Sequence, residues 1–190
     1  MLSVKKRQEY LKELGFYTGA IDGSVGPLTR AAYKALQDKY FTRVQDRDGL
    51  YGPNTEKLLI NAYKVKKHTK NFRVEEFKCG CGGKYCTGYP VELDTQLLIN
   101  LQSIRDKFGT TNITSGMRCS VHNANLSGSA SNSRHKTGKA ADIKTGICST
   151  EQGRKQIMEY WGKLPGNRYT YCNIGGNYPN MGTAVHVDVN

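Results

Sequence analysis

The sequence predicts an α+β fold: a small three-helix bundle, then an α+β domain with a small antiparallel sheet. Three observations predict it. The motif Asp-Gly-x-x-Gly-Pro-x-Thr occurs twice, at Asp22–Thr29 and Asp48–Thr55, offset by 26 residues and flanked by helical periodicity. Farther on, Leu93, Leu97, Leu101, Ile104 and Phe108 fall on one helical stripe. At the C-terminal end, the valines of Ala184-Val185-His186-Val187-Asp188-Val189 alternate with other residues at the period of a strand. The chain has 190 residues, 37% hydrophobic and 23% charged, enough for two small domains with packed interiors.

The elements follow in order. Val4, Leu11 and Leu14 share one helical face, and Gly15 stops that helix. Each repeated motif then reads as a turn feeding a helix. Asp-Gly makes the tight turn, the second glycine is expected at positive φ, and proline opens the helix. Ala32, Leu36 and Tyr40 mark the second helix, and Leu58, Leu59, Ala62 and Tyr63 the third. Lys64, Lys66, Lys67 and Lys70, with His68 among them, lie where the periodicity fades and read as a solvated linker. The expected boundaries are a domain at 1–66, a linker at 67–72 and a second domain at 73–190. In that second domain Gly109 closes the leucine stripe. Ser149-x-x-Gln152 reads as a capping box for a helix reaching Trp161. Ile113-Thr114, Tyr169–Ile174 and Ala184–Val189 read as strands.

Composition narrows the function. The 28 basic and 16 acidic side chains give a net charge of +12, split as +7 over residues 1–70 and +5 over 71–190, which points to a polyanionic partner. No apolar run is long enough for a membrane-spanning helix, so membrane insertion is not expected. No interleaved aromatic and basic motif or zinc-finger spacing speaks for nucleic acid. The first residues lack the apolar segment of a secretory signal, so residence in the cytoplasm until some later release is expected. A monomer is expected. Cys79, Cys81 and Cys86 cluster as Cys-x-Cys-x4-Cys, while Cys119, Cys148 and Cys172 stand alone. Disulfides, free thiols and a structural metal all remain open for them, because no fourth ligand is evident beside the cluster.

Gln8, Leu11, Leu14-Gly15-Phe16-Tyr17 and the two Asp-Gly-x-x-Gly-Pro-x-Thr repeats resemble the peptidoglycan-binding type 1 module over about residues 3–64. That resemblance implies adhesion to bacterial peptidoglycan, not chemistry.

The chemistry lies elsewhere. In Ser133-Arg134-His135-Lys136-Thr137-Gly138-Lys139-Ala140-Ala141-Asp142, a histidine and a carboxylate flank a loop containing glycine, with small residues that let the backbone approach closely. Both groups are ordinary zinc ligands, and a catalytic zinc takes three from the protein. On the terminal strand the valines face the core, so His186 and Asp188 emerge together on the other face.

Ser-x-His-x-x-Gly-x-Ala-x-Asp followed by a histidine on a valine-rich final strand resembles the M15 zinc peptidases, which cleave peptidoglycan peptides. Thr114-Ser115-Gly116-Met117-Arg118-Cys119 with Asn123 is similar to that family's Ser-Gly-Tyr-Arg stretch. The resemblance implies zinc as cofactor, His135, Asp142 and His186 as its ligands, and Arg118 as the grip on a substrate carboxylate. Members that carry an acidic base three positions before the last histidine differ here, where Thr183 stands. Asp188 is therefore expected as the general base, with orientation of His186 as its other role. His122, four residues after Arg118, is read as a proton donor or substrate contact. Together the readings describe a peptidoglycan hydrolase resembling a bacteriophage endolysin, with a D-alanyl-D-alanine carboxypeptidase or a non-catalytic wall-binding protein as alternatives.

Overall fold

The computed structural model describes residues 1–190. Three helices come first: α1 (Val4–Glu13), α2 (Pro27–Tyr40) and α3 (Pro53–His68). The second part opens with α4 (Thr95–Phe108) and β1 (Thr111–Ser115), followed by α5 (Ser120–Ala124) and β2 (Ala140–Thr145). It closes with α6 (Glu151–Trp161), β3 (Asn167–Cys172) and β4 (Val185–Val189). The four strands form one antiparallel sheet in the order β1-β2-β4-β3. The α+β fold read from the sequence is thus the fold observed.

The internal repeat has a physical cause in two buried glutamines. Gln8 on α1 donates from Nε2 to Asp22 Oδ1 (2.8 Å) and Ser24 O (3.0 Å), and its Oε1 accepts from Gly23 N (2.9 Å). Gln37 on α2 repeats the pattern, donating to Asp48 Oδ1 (3.0 Å), Leu50 O (2.9 Å) and Thr55 Oγ1 (2.9 Å) and accepting from Gly49 N (2.7 Å). Each loop is thereby bolted to the helix before it, and its Asp and Thr are conserved between copies because both touch the glutamine. It is the glycine of Asp-Gly that takes positive φ, +81° at Gly23 and +74° at Gly49. The later glycines, Gly26 and Gly52, are extended helix caps at φ −87° and −111°, which corrects the sequence expectation; Pro27 and Pro53 start the helices as expected.

The lysine-rich stretch does not form a free linker. It continues α3 to His68, because α3 packs against α4 and gains a partner along its length. Lys64 Nζ donates to Leu93 O (3.0 Å), and Lys70 N donates to Gln102 Oε1 (2.9 Å). The fully buried Asn61 donates to Val91 O (2.8 Å) and accepts from Leu93 N (2.7 Å). One hydrophobic cluster of 29 residues runs from Leu11 to Val189 through both halves.

In the second half the valines of β4 and Ala141 and Ile143 of β2 face α4 and α6, with Trp161 buried against them. Thr150, not Ser149, caps α6 by accepting from Gly153 N (3.0 Å). Strand β2 was not expected, since alanine, aspartate and lysine are poor strand formers and the segment reads locally as loop.

A glutamine with this many buried partners is costly to remove. Gln37→Ala should lower stability by about 1–3 kcal/mol, the cost of leaving a buried donor such as Gly49 N–H unsatisfied. Denaturant unfolding of the full chain checks this; an unchanged midpoint would show that the loops hold without the glutamine.

Candidate metal centre

One rung of the sheet builds the site. Asp142 on β2 stands opposite His186 on β4, and His186 stands opposite Tyr171 on β3. On the other side, a bulge between Ile113 and Ser115 shifts β1 so that Ser115 comes opposite Asp142. Ser115, Asp142, His186 and Tyr171 therefore cross the four strands in a row. His135 joins them from a short 3₁₀ turn, Arg134–Thr137, just before β2. That turn ends on Gly138 at φ +71°, where a Cβ would lie 1.9 Å from Glu92 O, so only glycine fits.

The three donor groups converge. His186 Nδ1 lies 2.8 Å and His135 Nε2 3.3 Å from Asp142 Oδ1, and the two ring nitrogens are 3.3 Å apart. All three residues are buried, at 1%, 6% and 5% exposure for His135, Asp142 and His186, so the donors have little water to satisfy them. The other nitrogen of each ring is held from behind. His135 Nδ1 faces Gly116 O at 2.7 Å and must donate to it, which leaves the Nε2 lone pair pointing inward. His186 Nε2 faces Asp188 Oδ2 at 3.5 Å, which turns its Nδ1 lone pair inward. Two inward lone pairs and a carboxylate oxygen, each anchored behind, form a donor set that fits a divalent metal such as zinc.

Two of the three donors agree in charge state; at His186 burial lowers the imidazole, but the carboxylates of Asp142 and Asp188 outweigh it and raise the ring above its usual value. Burial would raise the Asp142 carboxyl, but the imidazoles of His135 and His186 beside it outweigh that and hold it well below the usual carboxylate range, in the anionic form that a ligand needs. Burial pushes His135 down, towards the neutral form that a ligand needs. Arg118 braces the carboxylate from the side, donating from Nη2 to Asp142 Oδ2 (2.7 Å) and from Nε to Ser115 Oγ (2.9 Å).

The centre lies in a cleft of about 860 Å³. One wall is the segment from Leu126 to Arg134. The other comes from Tyr169, Tyr171 and the loop Asn177–Met181. Tyr171 stacks on the His186 ring (4.6 Å between centroids, 25°) and Tyr178 packs on Tyr171 (4.8 Å). These tyrosines, with Arg134 and Arg168, escaped the sequence reading; the alternation Tyr169-x-Tyr171 on a predicted strand was the available signal.

Of the six candidate residues, the structure brings five to this cleft: Arg118, His135, Asp142, His186 and Asp188. His122 is not among its walls. It sits on α5 against Gly80, where an added Cβ would come 3.2 Å from its Nε2, and so faces the cysteine cluster instead. Asp188 lies behind His186, its Oδ1 accepting from Tyr169 N (2.8 Å) and its Oδ2 paired with Arg168 Nη1 (3.2 Å).

Fold and site together define a two-part protein in which a helical repeat module is joined to a buried His–Asp–His metal centre on a small antiparallel sheet. Comparison with known proteins gives the family. Residues 70–163 match Peptidase M15, and residues 2–59 match the putative peptidoglycan binding domain. The C-terminal half belongs to the Peptidase M15 family, and the N-terminal half is a peptidoglycan-binding type 1 domain. The family match takes in His135 and Asp142 but ends before His186, which the sheet register supplies. The chain is 32% identical over 145 residues to the zinc D-Ala-D-Ala carboxypeptidase of Streptomyces albus G, covering 72% of this chain and 55% of that protein. It is 40% identical over 76 residues to the spore cortex-lytic enzyme of Bacillus cereus, covering 40% of this chain and 28% of that protein. The chain thus spans about half or less of the relatives it matches.

The geometry separates two roles for Asp188. If it orients His186, Asp188→Asn should weaken zinc affinity by roughly 10–100-fold, with most of the rate recovered in excess zinc. Unchanged affinity with turnover down by about 10²–10⁴ would instead make it the general base. Zinc titration and steady-state rates on one preparation decide.

Proposed function

We propose that this protein is a peptidoglycan hydrolase that cuts a peptide bond in the stem peptide or cross-link of the bacterial wall, in an endolysin-like lytic role. The observation that carries this reading is the three-donor centre set in a peptide-sized cleft of a chain that also bears a wall-binding module. All of its parts come from one chain, which supports action as a monomer. The net charge of +12 suits the anionic polymers of a cell wall. No helix is long and apolar enough to cross a membrane.

His135, Asp142 and His186 would hold zinc. The chemistry that zinc would supply there is a bound water acidic enough to attack near neutral pH and a polarised scissile carbonyl. The chain's own residues do the rest. Arg118, Arg134 and Arg168 line the cleft against only two carboxylates, Asp142 and Asp188, so it favours an anionic peptide. Arg118 spends Nη2 and Nε on Asp142 and Ser115 and keeps Nη1 for a substrate carboxylate, either a chain terminus or a D-Glu side chain. Tyr171 fixes the plane of the His186 ring by stacking, and burial raises its phenol so that it stays protonated. Asp188, which accepts from Tyr169 and Arg168 and faces His186 Nε2 at 3.5 Å, acts as a positioning residue that holds the imidazole with Nδ1 inward. This role is proposed over the base role expected from the sequence, since the carboxylate is paired behind the ring, and the Asp188→Asn measurement decides between them.

A second reading, a D-alanyl-D-alanine carboxypeptidase, is favoured by the named activity of the Streptomyces relative. Incubating the full chain with purified peptidoglycan and identifying the products by mass spectrometry separates the two. The lytic reading expects new peptide amino ends on soluble fragments and falling turbidity, both abolished by chelation and restored by zinc. Release of free D-alanine alone would establish the carboxypeptidase, and new reducing sugar ends would overturn peptidase action altogether. Arg118→Lys should raise KM for carboxylate-bearing peptides by roughly tenfold or more, since a single ammonium cannot brace Asp142 and Ser115 and still reach the substrate as the guanidinium does.

A further inference from the structure

The structure assigns a second metal site, away from the cleft: Cys79, Cys81, Cys86 and Cys119 form a four-thiolate site for a structural zinc ion. The four sulfurs all lie within 4.8 Å of one another. A tetrahedral zinc tetrathiolate, with Zn–S bonds of about 2.3 Å, needs sulfurs roughly 3.8 Å apart, so the cluster closes with sub-ångström movement. Cys81 and Cys86 are already 3.5 Å apart, and all six cysteines of the chain are free thiols. The fourth ligand comes from far along the chain, at the residue that caps α5.

The surroundings suit thiolates. Cys119 N donates to Cys79 Sγ (3.3 Å) and His122 N donates to Cys119 Sγ (3.4 Å), the direction in which backbone amides stabilise sulfur anions. Four thiols give up four protons to bind one zinc ion, leaving a site of net charge −2. Lys78 just before the loop and Lys84 within it make the surrounding sequence basic, which suits that charge.

The loop also needs such a clip. Between Cys79 and Cys86 the chain has three glycines and no helix or strand, and only Cys79 is fully buried. Its ends meet two other parts of the molecule. Thr87 O accepts from Thr42 N (3.2 Å) and Thr42 Oγ1 (3.0 Å), next to α2 of the wall-binding half. Cys119 directly follows Arg118, which braces Asp142 in the catalytic centre. Zinc at the four sulfurs would join the wall-binding half, the glycine-rich loop and the Arg118 turn at one point, acting as structure rather than as a catalyst. His122, pressed on this loop, belongs to the same neighbourhood.

The test is metal analysis of the full chain beside its His135→Ala and Cys81→Ser variants, with cobalt replacing zinc as a spectroscopic probe. The wild type should hold about two zinc ions and each variant about one, as two independent sites of these kinds require. The cobalt protein should show thiolate-to-cobalt charge-transfer absorption that survives His135→Ala and vanishes in Cys81→Ser. A single zinc that Cys81→Ser loses and His135→Ala keeps would uphold this site while removing the catalytic one. A single zinc that only His135→Ala loses, a cobalt protein without thiolate charge transfer, or a Cys81–Cys86 disulfide in freshly purified protein would overturn it. Should Cys81→Ser not fold, the wild-type cobalt spectrum decides.

Discussion

The register between β2 and β4 is the constraint on which the rest depends. Pairing Asp142 with His186 puts two of three metal donors side by side, and the same pairing sets Ala141 and Ile143 with the valines of β4 against α4 and α6. Side chains alternate along a strand, so a slip of one residue would bury His186 in the core and lift Val185 or Val187 into the cleft. Core and site thus choose the same register, and the hydrophobic drive to bury three valines also positions a polar centre. The neighbouring strands extend the arrangement, with the bulge in β1 delivering Ser115 to Arg118 and β3 delivering Tyr171 to His186.

The polar centre is tolerable because every member has an outer partner. Buried imidazoles and a buried carboxylate are expensive when unpaired. Here Gly116 O, Asp188 and Arg118 take up the groups that face away from the centre. The same logic runs through the N-terminal half, where Gln8 and Gln37 satisfy loop donors and acceptors from inside. The two halves then share one interior, joined by Asn61 and the length of α3, so the repeat module and the metal centre sit in a single packed body.

Much of this was legible in the sequence because it is local or periodic. The repeated Asp-Gly loops, the leucine stripe of α4 and the valine alternation of β4 each announce themselves within a short window. Three features were not. Strand β2 is built from residues with weak strand preference and is a strand only because β1 and β4 pair on both its sides. The lysine-rich end of α3 reads as linker because its apolar signal fades, whereas α4 supplies the packing that keeps it helical. Cys119 and His122 both changed meaning: the extended residues after Arg118 and the short helix α5 carry them to the cysteine loop, a through-space contact that no spacing along the chain reveals. Asp188 was seen on the correct face of the strand, but its partners, Tyr169 and Arg168, come from β3 and tie it behind His186.

The most direct test of the account is zinc-edge anomalous diffraction from crystals of the full chain. The account predicts a peak enclosed by His135 Nε2, His186 Nδ1 and Asp142 Oδ1, with His186 Nε2 still turned to Asp188. A peak bound instead through His186 Nε2, or no density at all at this centre in crystals grown with zinc, would contradict it.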